Sequence, residues 1–285
     1  MALATGASKA TEAIELRWDP DSIPPFPAIA LKALRLMGGT DTSLLELCDL
    51  IRADPAFSVA VLKIANSPLV AFSKTVNSVL QASMLLGFQR LRRVVITVGL
   101  KAYLKDSYTP LMKSCWRHSL ACAIVAERSA RLSFLDNDFA YSAGILHDIG
   151  RVALATVMPE SYARVVERGA DRIQDLLQSE RDLCGLDHCQ AGKSLVTIWN
   201  LPETFLQVTA CHHDAETHAQ GIAALIPPSC ALADALGFGV VLCRFSRGYS
   251  EILADFSEPV RKNLPASAKE LATEIATEIK VLESV

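Results

Sequence analysis

Phe139-Ala140-Tyr141-Ser142-Ala143-Gly144-Ile145-Leu146-His147-Asp148-Ile149-Gly150 is the stretch that decides the fold. Apart from the adjacent His147 and Asp148 it holds no charged or imidazole side chain. It runs on through Arg151 into Val152-Ala153-Leu154-Ala155-Thr156. Apolar residues on every side of such a run predict a helix, Asp138–Thr156, covered on most faces. A His–Asp pair inside it must then point into protein. A buried carboxylate without a partner is costly, so Asp148 needs a hydrogen bond, an ion pair or a metal ion.

The rest of the chain reads as helix as well. Asp54-Pro55 predicts a capped helix start with proline in the first turn. Asn66-Ser67-Pro68 reads as its stop, with side chains bonding backbone. Ser78–Leu86 and Leu91–Leu104 are separate helical patterns divided by Gly87. Val94–Val98 is β-branched, but its neighbours make it a buried helix rather than a strand. Further helices are expected at Leu111–Leu132, Pro159–Glu167, Ile173–Leu183, His188–Trp199, Pro202–His213, Ser229–Gly237 and Leu242–Ser257, with an irregular stretch at His218–Pro228. Ser267–Glu283 carries the stripe Leu271, Ile275, Ile279, Leu282 and reads as an amphipathic helix that packs on the body or serves a dimer contact. The fold class is therefore all-α. The expected organisation is an extension at 1–19, a helical lobe at 20–108 and a second helical lobe at 109–285.

Composition narrows the classes. The 285 residues are 51% hydrophobic and 21% charged, enough for a large core and too apolar for disorder. A mean hydropathy of +0.26 is high, yet no run of apolar residues is long enough to span a bilayer. The N-terminal stretch lacks a basic start followed by an apolar run, so a cytoplasmic location is expected, with no membrane partner. With 28 basic and 31 acidic residues there is no electrostatic footprint for nucleic acid. The locally basic stretch Arg90, Arg92, Arg93, Lys101, Lys105 and Lys113 reads as a solvated helix face. The eight cysteines form no C-x-x-C pair, which argues for small buried hydrophobes over a disulfide framework or a thiolate metal site.

The six histidines all lie beyond residue 117. His118 falls in the stripe Leu111, Cys115, His118, Cys122, Val125. His188 opens the stripe His188, Ala191, Leu195, Ile198. His212 continues Phe205 and Val208, with His213 beside it, and Asp234 stands among Cys230, Ala231, Ala235 and Phe238. His218 sits apart on a polar loop and reads as exposed. One such histidine would be a satisfied core residue. Five histidines and two aspartates on the inner faces of separate helices are the ligand set for Fe, Mn, Zn or Ni, with enough donors for two divalent ions that could clamp a phosphate and activate a water.

The doublet His147-Asp148 resembles the signature of the HD superfamily of metal-dependent phosphohydrolases. Pro24-Pro25-x-Pro27, Asp54-Pro55, Ile64-Ala65-Asn66-Ser67, Leu86-Gly87, Trp116-x-His118-Ser119 and Trp199-Asn200-Leu201-Pro202-Glu203, in that order, resemble the HDOD family, the HD-related output domains of bacterial signalling proteins. The resemblance implies an all-helical regulatory module, usually non-catalytic, working through a partner protein or a nucleotide bound between its lobes. By similarity to the catalytic HD enzymes, His118, His147, Asp148, His188, His212, His213 and Asp234 would be the metal ligands, with Asp148 bridging two ions. Three departures weigh against catalysis. Ser114 stands where a trinuclear HD-GYP site has Glu, Arg151 follows Gly150 where those enzymes carry Lys, and no Gly-Tyr-Pro loop follows His213. The alternative is a metal-dependent phosphohydrolase, or phosphodiesterase, with Asp148 and Arg151 as catalytic candidates and Arg151 or Lys193 steadying a phosphate.

Overall fold

The computed structural model describes residues 18–19, 22–35, 44–67, 70, 75–104, 109–214 and 220–283. His218 and most of the 1–19 extension lie outside these residues. The helices in chain order are α1 (Ala28–Arg35), α2 (Leu44–Arg52), α3 (Pro55–Ala65), α4 (Val79–Leu104), α5 (Pro110–Leu132), α6 (Asn137–Leu146), α7 (Ile149–Val157), α8 (Pro159–Arg168), α9 (Ile173–Cys184), α10 (His188–Ile198), α11 (Glu203–Cys211), α12 (Ile226–Ala233), α13 (Tyr249–Leu253), α14 (Glu258–Asn263) and α15 (Ala268–Glu283). Among the described residues the only strand-like pairing is an isolated bridge between Ala170 and Cys243. No described helix is long and apolar enough to cross a membrane.

Local chemistry sets the boundaries. The Asp54 carboxylate accepts from the Ala56 and Phe57 backbone N–H groups at the start of α3, as its sequence predicts. Asn66 closes α3, and its carboxamide makes a reciprocal pair with Val76: Nδ2 donates to the Val76 carbonyl and Oδ1 accepts from the Val76 N–H. That clamp fixes the entry to α4. Gly87 sits at φ 71°, which breaks α4 into two helical arms at the expected residue. Val94, Val95 and Ile96 are helical and buried.

α4 joins α1, α2 and α3 to the rest. Arg93 on α4 makes a two-pronged ion pair with Glu127 on α5 at 2.6 and 2.7 Å. Its guanidinium also stacks 4.2 Å from the Tyr141 ring of α6. Arg92 is buried and Arg93 half-buried while Arg90 and Lys113 are exposed, so only part of the basic stretch is the solvated face its composition suggested. At the opposite end of α4, Phe26 packs against Tyr103 and Trp199 with ring centroids 5.3 and 5.0 Å apart. Arg35 of α1 donates to the Trp199 carbonyl at 2.7 Å. The proline-rich entry and the Trp199-Asn200-Leu201-Pro202 turn, far apart in sequence, therefore meet. α15 lays Leu271, Ile275 and Ile279 onto the body and pairs Glu274 and Glu278 with Arg128 of α5, so its apolar stripe is covered within the chain.

Three expected elements differ. Asp138–Thr156 is two helices, α6 and α7, with a turn at His147-Asp148. Ile226-Pro227-Pro228, expected to be irregular, forms the first turn of α12, where proline's missing N–H costs nothing. Leu242–Ser257 is mostly irregular, with only the short α13 inside it. Arg244 and Phe245 there donate their backbone N–H groups to the carbonyls of Ala170 and Asp171 instead of to a helix.

Candidate metal centre

Five elements deliver the site. α5 carries His118. The α6–α7 turn carries His147 and Asp148. α10 begins at His188, α11 ends into His212 and His213, and α12 brings Cys230 and, just past its end, Asp234. Two glycines allow the close approach. A Cβ at Gly144 would lie 2.5 Å from the Ala123 Cα of α5. One at Gly150 would lie 1.9 Å from the His188 carbonyl oxygen of α10. Only a bare α-carbon at these points lets the doublet turn press against α5 and α10.

Asp148 is the hub, and its two oxygens face different groups. Oδ1 lies 3.3 Å from His188 Nε2 and 3.3 Å from His212 Nε2. Oδ2 accepts from Arg151 Nε at 2.5 Å and lies 3.5 Å from His118 Nε2. Burial opposes the charge on Asp148, but Arg151 and the surrounding histidines outweigh it and hold the carboxyl well below the usual carboxylate range. The hub is thus an anion.

His188 is fixed from behind. Glu180 on α9 accepts from its Nδ1 at 2.6 Å and from its backbone N–H at 2.9 Å, which leaves Nε2 aimed at Asp148. Carboxylates behind ligating imidazoles commonly set tautomer and basicity in this way. Burial and Arg151 oppose a proton on His188, yet Glu180, with the Cys189 sulfur and Asp148, pushes its pKa up to about 10. Burial likewise opposes a proton on His212, but the Cys189 sulfur and Asp148 push it up to about 9. Burial and the charges on His212 and His188 drive His213 well below the usual histidine range, so it is neutral. Burial does the same to His147, whose Nδ1–H donates to the Gly144 carbonyl at 2.7 Å.

Asp148 Oδ1, His188 Nε2, His212 Nε2 and His213 Nε2 are all buried with no hydrogen-bond partner. The same four residues have donor atoms within 4.8 Å of one another, close enough to share one ion. The 3.3 Å separations match the donor–donor edges, about 3.0–3.4 Å, of a cation with bonds of about 2.1 Å. Buried polar atoms without partners are rare in folded proteins, and four around one point fit a divalent ion. His118, His147 and Cys230 form a second group of the same kind.

Three expected residues take other places. Asp234 joins neither group; its Oδ1 faces His118 Nδ1 at 3.3 Å. Arg151 turns inward and is buried, its guanidinium held by Asp148, by Tyr162 at 3.4 Å and near Glu180 at 3.7 Å. Lys193 lies one turn past Cys189 on α10, outside both groups. Sequence reasoning missed Glu180, Tyr162 and Cys230. Glu180 had a signal: it continues the spacing Ile173, Leu176, Glu180, Cys184, an acid on an apolar stripe. A cavity of about 600 Å³ reaches the site, lined by His212, His213, Cys230 and Asp234 and also by Arg172 and Phe245.

A helical bundle that gathers a His–Asp doublet and further imidazoles around a buried carboxylate defines an HD-type protein. The family model of the HDOD domain matches residues 23–215, and the chain belongs to that family. An HDOD domain protein of unknown function from Geobacter sulfurreducens is 26% identical with a TM-score of 0.71, over 93% of this chain and 92% of that one. A candidate signal transduction protein from Marinobacter aquaeolei VT8 shares the fold at 22% identity and a TM-score of 0.64, over 92% of this chain and 60% of that one. An uncharacterized protein of Treponema pallidum (strain Nichols) is 25% identical over 202 residues, which are 68% of this chain and 38% of that relative's length.

Proposed function

We propose that this HDOD protein is a regulatory signalling module that holds a divalent ion between Asp148, His188, His212 and His213 and does not turn over a substrate. One observation carries the reading: those four residues bring buried donor atoms without hydrogen-bond partners to one point. Three imidazoles and one carboxylate suit Fe, Mn, Zn or Ni over Mg or Ca. The ion would supply a fixed positive charge that ties α7, α10 and the end of α11 together.

Arg151 supports the non-catalytic half of the reading. In a two-ion hydrolytic site a bridging carboxylate offers one oxygen to each ion. Here Asp148 Oδ2 is taken by an internal guanidinium, and Arg151 is too buried to meet a substrate phosphate. A hydrolase reading draws on the cavity, which gives a small molecule access to His212 and His213. The test separates the two. Elemental analysis of protein purified without added metal is expected to find a bound transition ion that His212→Ala removes. Generic phosphodiesters and cyclic dinucleotides, supplied with Mn or Fe, are expected to stay intact. Hydrolysis abolished by Asp148→Ala would overturn the regulatory reading, and a metal-free wild type would overturn the site itself.

A further inference from the structure

We propose that Cys230 is a thiolate ligand at a second, softer metal position that it shares with His118 and His147. The proposal extends the metal-holding reading above but rests on different atoms. His118 Nε2 lies 3.2 Å from His147 Nε2 and 3.6 Å from Cys230 Sγ. Around one tetrahedral ion with bonds of about 2.05 Å to nitrogen and about 2.3 Å to sulfur, those edges are about 3.3 and about 3.6 Å. The three donor atoms lie within 4.8 Å of one another, and all three side chains are buried.

The protons balance on ligation. His147 Nδ1–H donates to the Gly144 carbonyl, so its Nε2 carries a lone pair turned into the site. Without an ion, that lone pair accepts from His118 Nε2–H. When an ion enters, the His118 proton moves to Nδ1, which faces the Asp234 carboxylate at 3.3 Å, and the Cys230 thiol proton leaves to solvent. This gives Asp234 a part that its position outside both donor groups otherwise leaves open: its carboxylate, 3.3 Å from Nδ1, would accept that proton, although in the empty site the two make no hydrogen bond. Asp148 Oδ2 lies 3.5 Å from His118 but is engaged by Arg151. The sulfur therefore takes the place a second carboxylate would have.

Two imidazoles and one thiolate select a borderline-soft divalent ion, Zn, Fe or Co, over Mg, Ca or Mn. Cys230 also lines the cavity, from which water or a small ligand would supply the fourth donor. Two other sulfurs are close: Cys189 Sγ lies 4.0 Å from His212 Nδ1, beside the other group, and Cys122 lies one turn past His118 on α5.

The experiment is a cobalt titration of the full-length, metal-stripped protein, followed by optical spectroscopy and metal counting. Wild type, Cys189→Ser and His212→Ala are expected to develop the intense near-ultraviolet thiolate-to-cobalt charge-transfer band. Cys230→Ser and Cys230→Ala are expected to lose the band and bind one ion fewer, with far-ultraviolet circular dichroism showing both variants folded. Loss of the band in Cys189→Ser instead, or its persistence in both Cys230 variants, would overturn the assignment. Cobalt bound by the wild type without the band, and lost in His212→Ala, would sink this proposal while leaving the Asp148 position intact. A band lost only with Cys230, alongside a metal count indifferent to His212, would do the reverse.

Discussion

The helices before α5 and those from α5 onward are built by opposite rules. In α1–α4 the buried polar side chains are few: Ser83, Arg92 and Thr97. The ends there are held by backbone-directed groups, the Asp54 cap and the Asn66 clamp. From α5 to α11 the interior holds Glu127, His147, Asp148, Arg151, Glu180 and His188, among others, all buried. Burying that many ionisable groups is unfavourable for stability alone, and hydrophobic residues of similar volume would often do as well. The contrast separates the part of the chain that serves as scaffold from the part that carries chemistry.

If the contrast is sound, substitutions in the two regions must differ in kind as well as size. Arg151→Met is the hardest test. It strips the buried Asp148 of its paired cation and is expected to cost about 3–5 kcal/mol in metal-free protein. Part of that loss should return when a divalent ion supplies the missing charge at Oδ1. Urea unfolding with and without metal reads both effects, and an apo variant as stable as wild type would break the argument. Phe26→Ala, in the other region, is expected to cost about 3 kcal/mol by opening a void against Tyr103 and Trp199. Its loss should be the same with or without metal; a metal-dependent loss would erase the distinction. The smallest effect concerns protons. His188 and His212, with pKa values pushed up to about 10 and about 9, are protonated in the empty site at neutral pH and must be neutral to bind an ion. Metal affinity is therefore expected to rise with pH until it levels off near pH 9–10, by about tenfold per unit for each proton released. Calorimetry at neutral pH in buffers of different ionisation enthalpy should find about two protons released per ion at this position. No release would mean that the ion binds elsewhere.

Much of this was legible in the sequence. The all-helical class, the Asp54 cap, the Gly87 break and the helical reading of Val94–Val98 followed from periodicity and end signals. Imidazoles on apolar stripes marked His118, His147, His188 and His212 as inward-facing, and the structure brings them together. The turn at His147-Asp148 was not legible, because an unbroken apolar run looks the same whether the helix continues or restarts. What permits the turn is Gly150 lying against the His188 carbonyl, a contact between residues of different helices. Leu242–Ser257 misled for the converse reason: its apolar residues suggested a helix, while its backbone bonds to Ala170 and Asp171 across a large gap in sequence. Cys230 was hidden by its own type, since a buried cysteine on a helix is ordinarily a small hydrophobe. Arg151 was visible as a cation but not as an inward one, because direction depends on Tyr162 and Glu180 arriving from α8 and α9.

α10 has His188 at its first residue and Trp199 just past its last. A helix of that length spans about 16 Å and is stiff along its axis. Its near end sits among the metal donors; its far end is gripped by Phe26 and Arg35. It is a connecting rod, with one bearing in the donor cluster and the other on the proline-rich entry and α1.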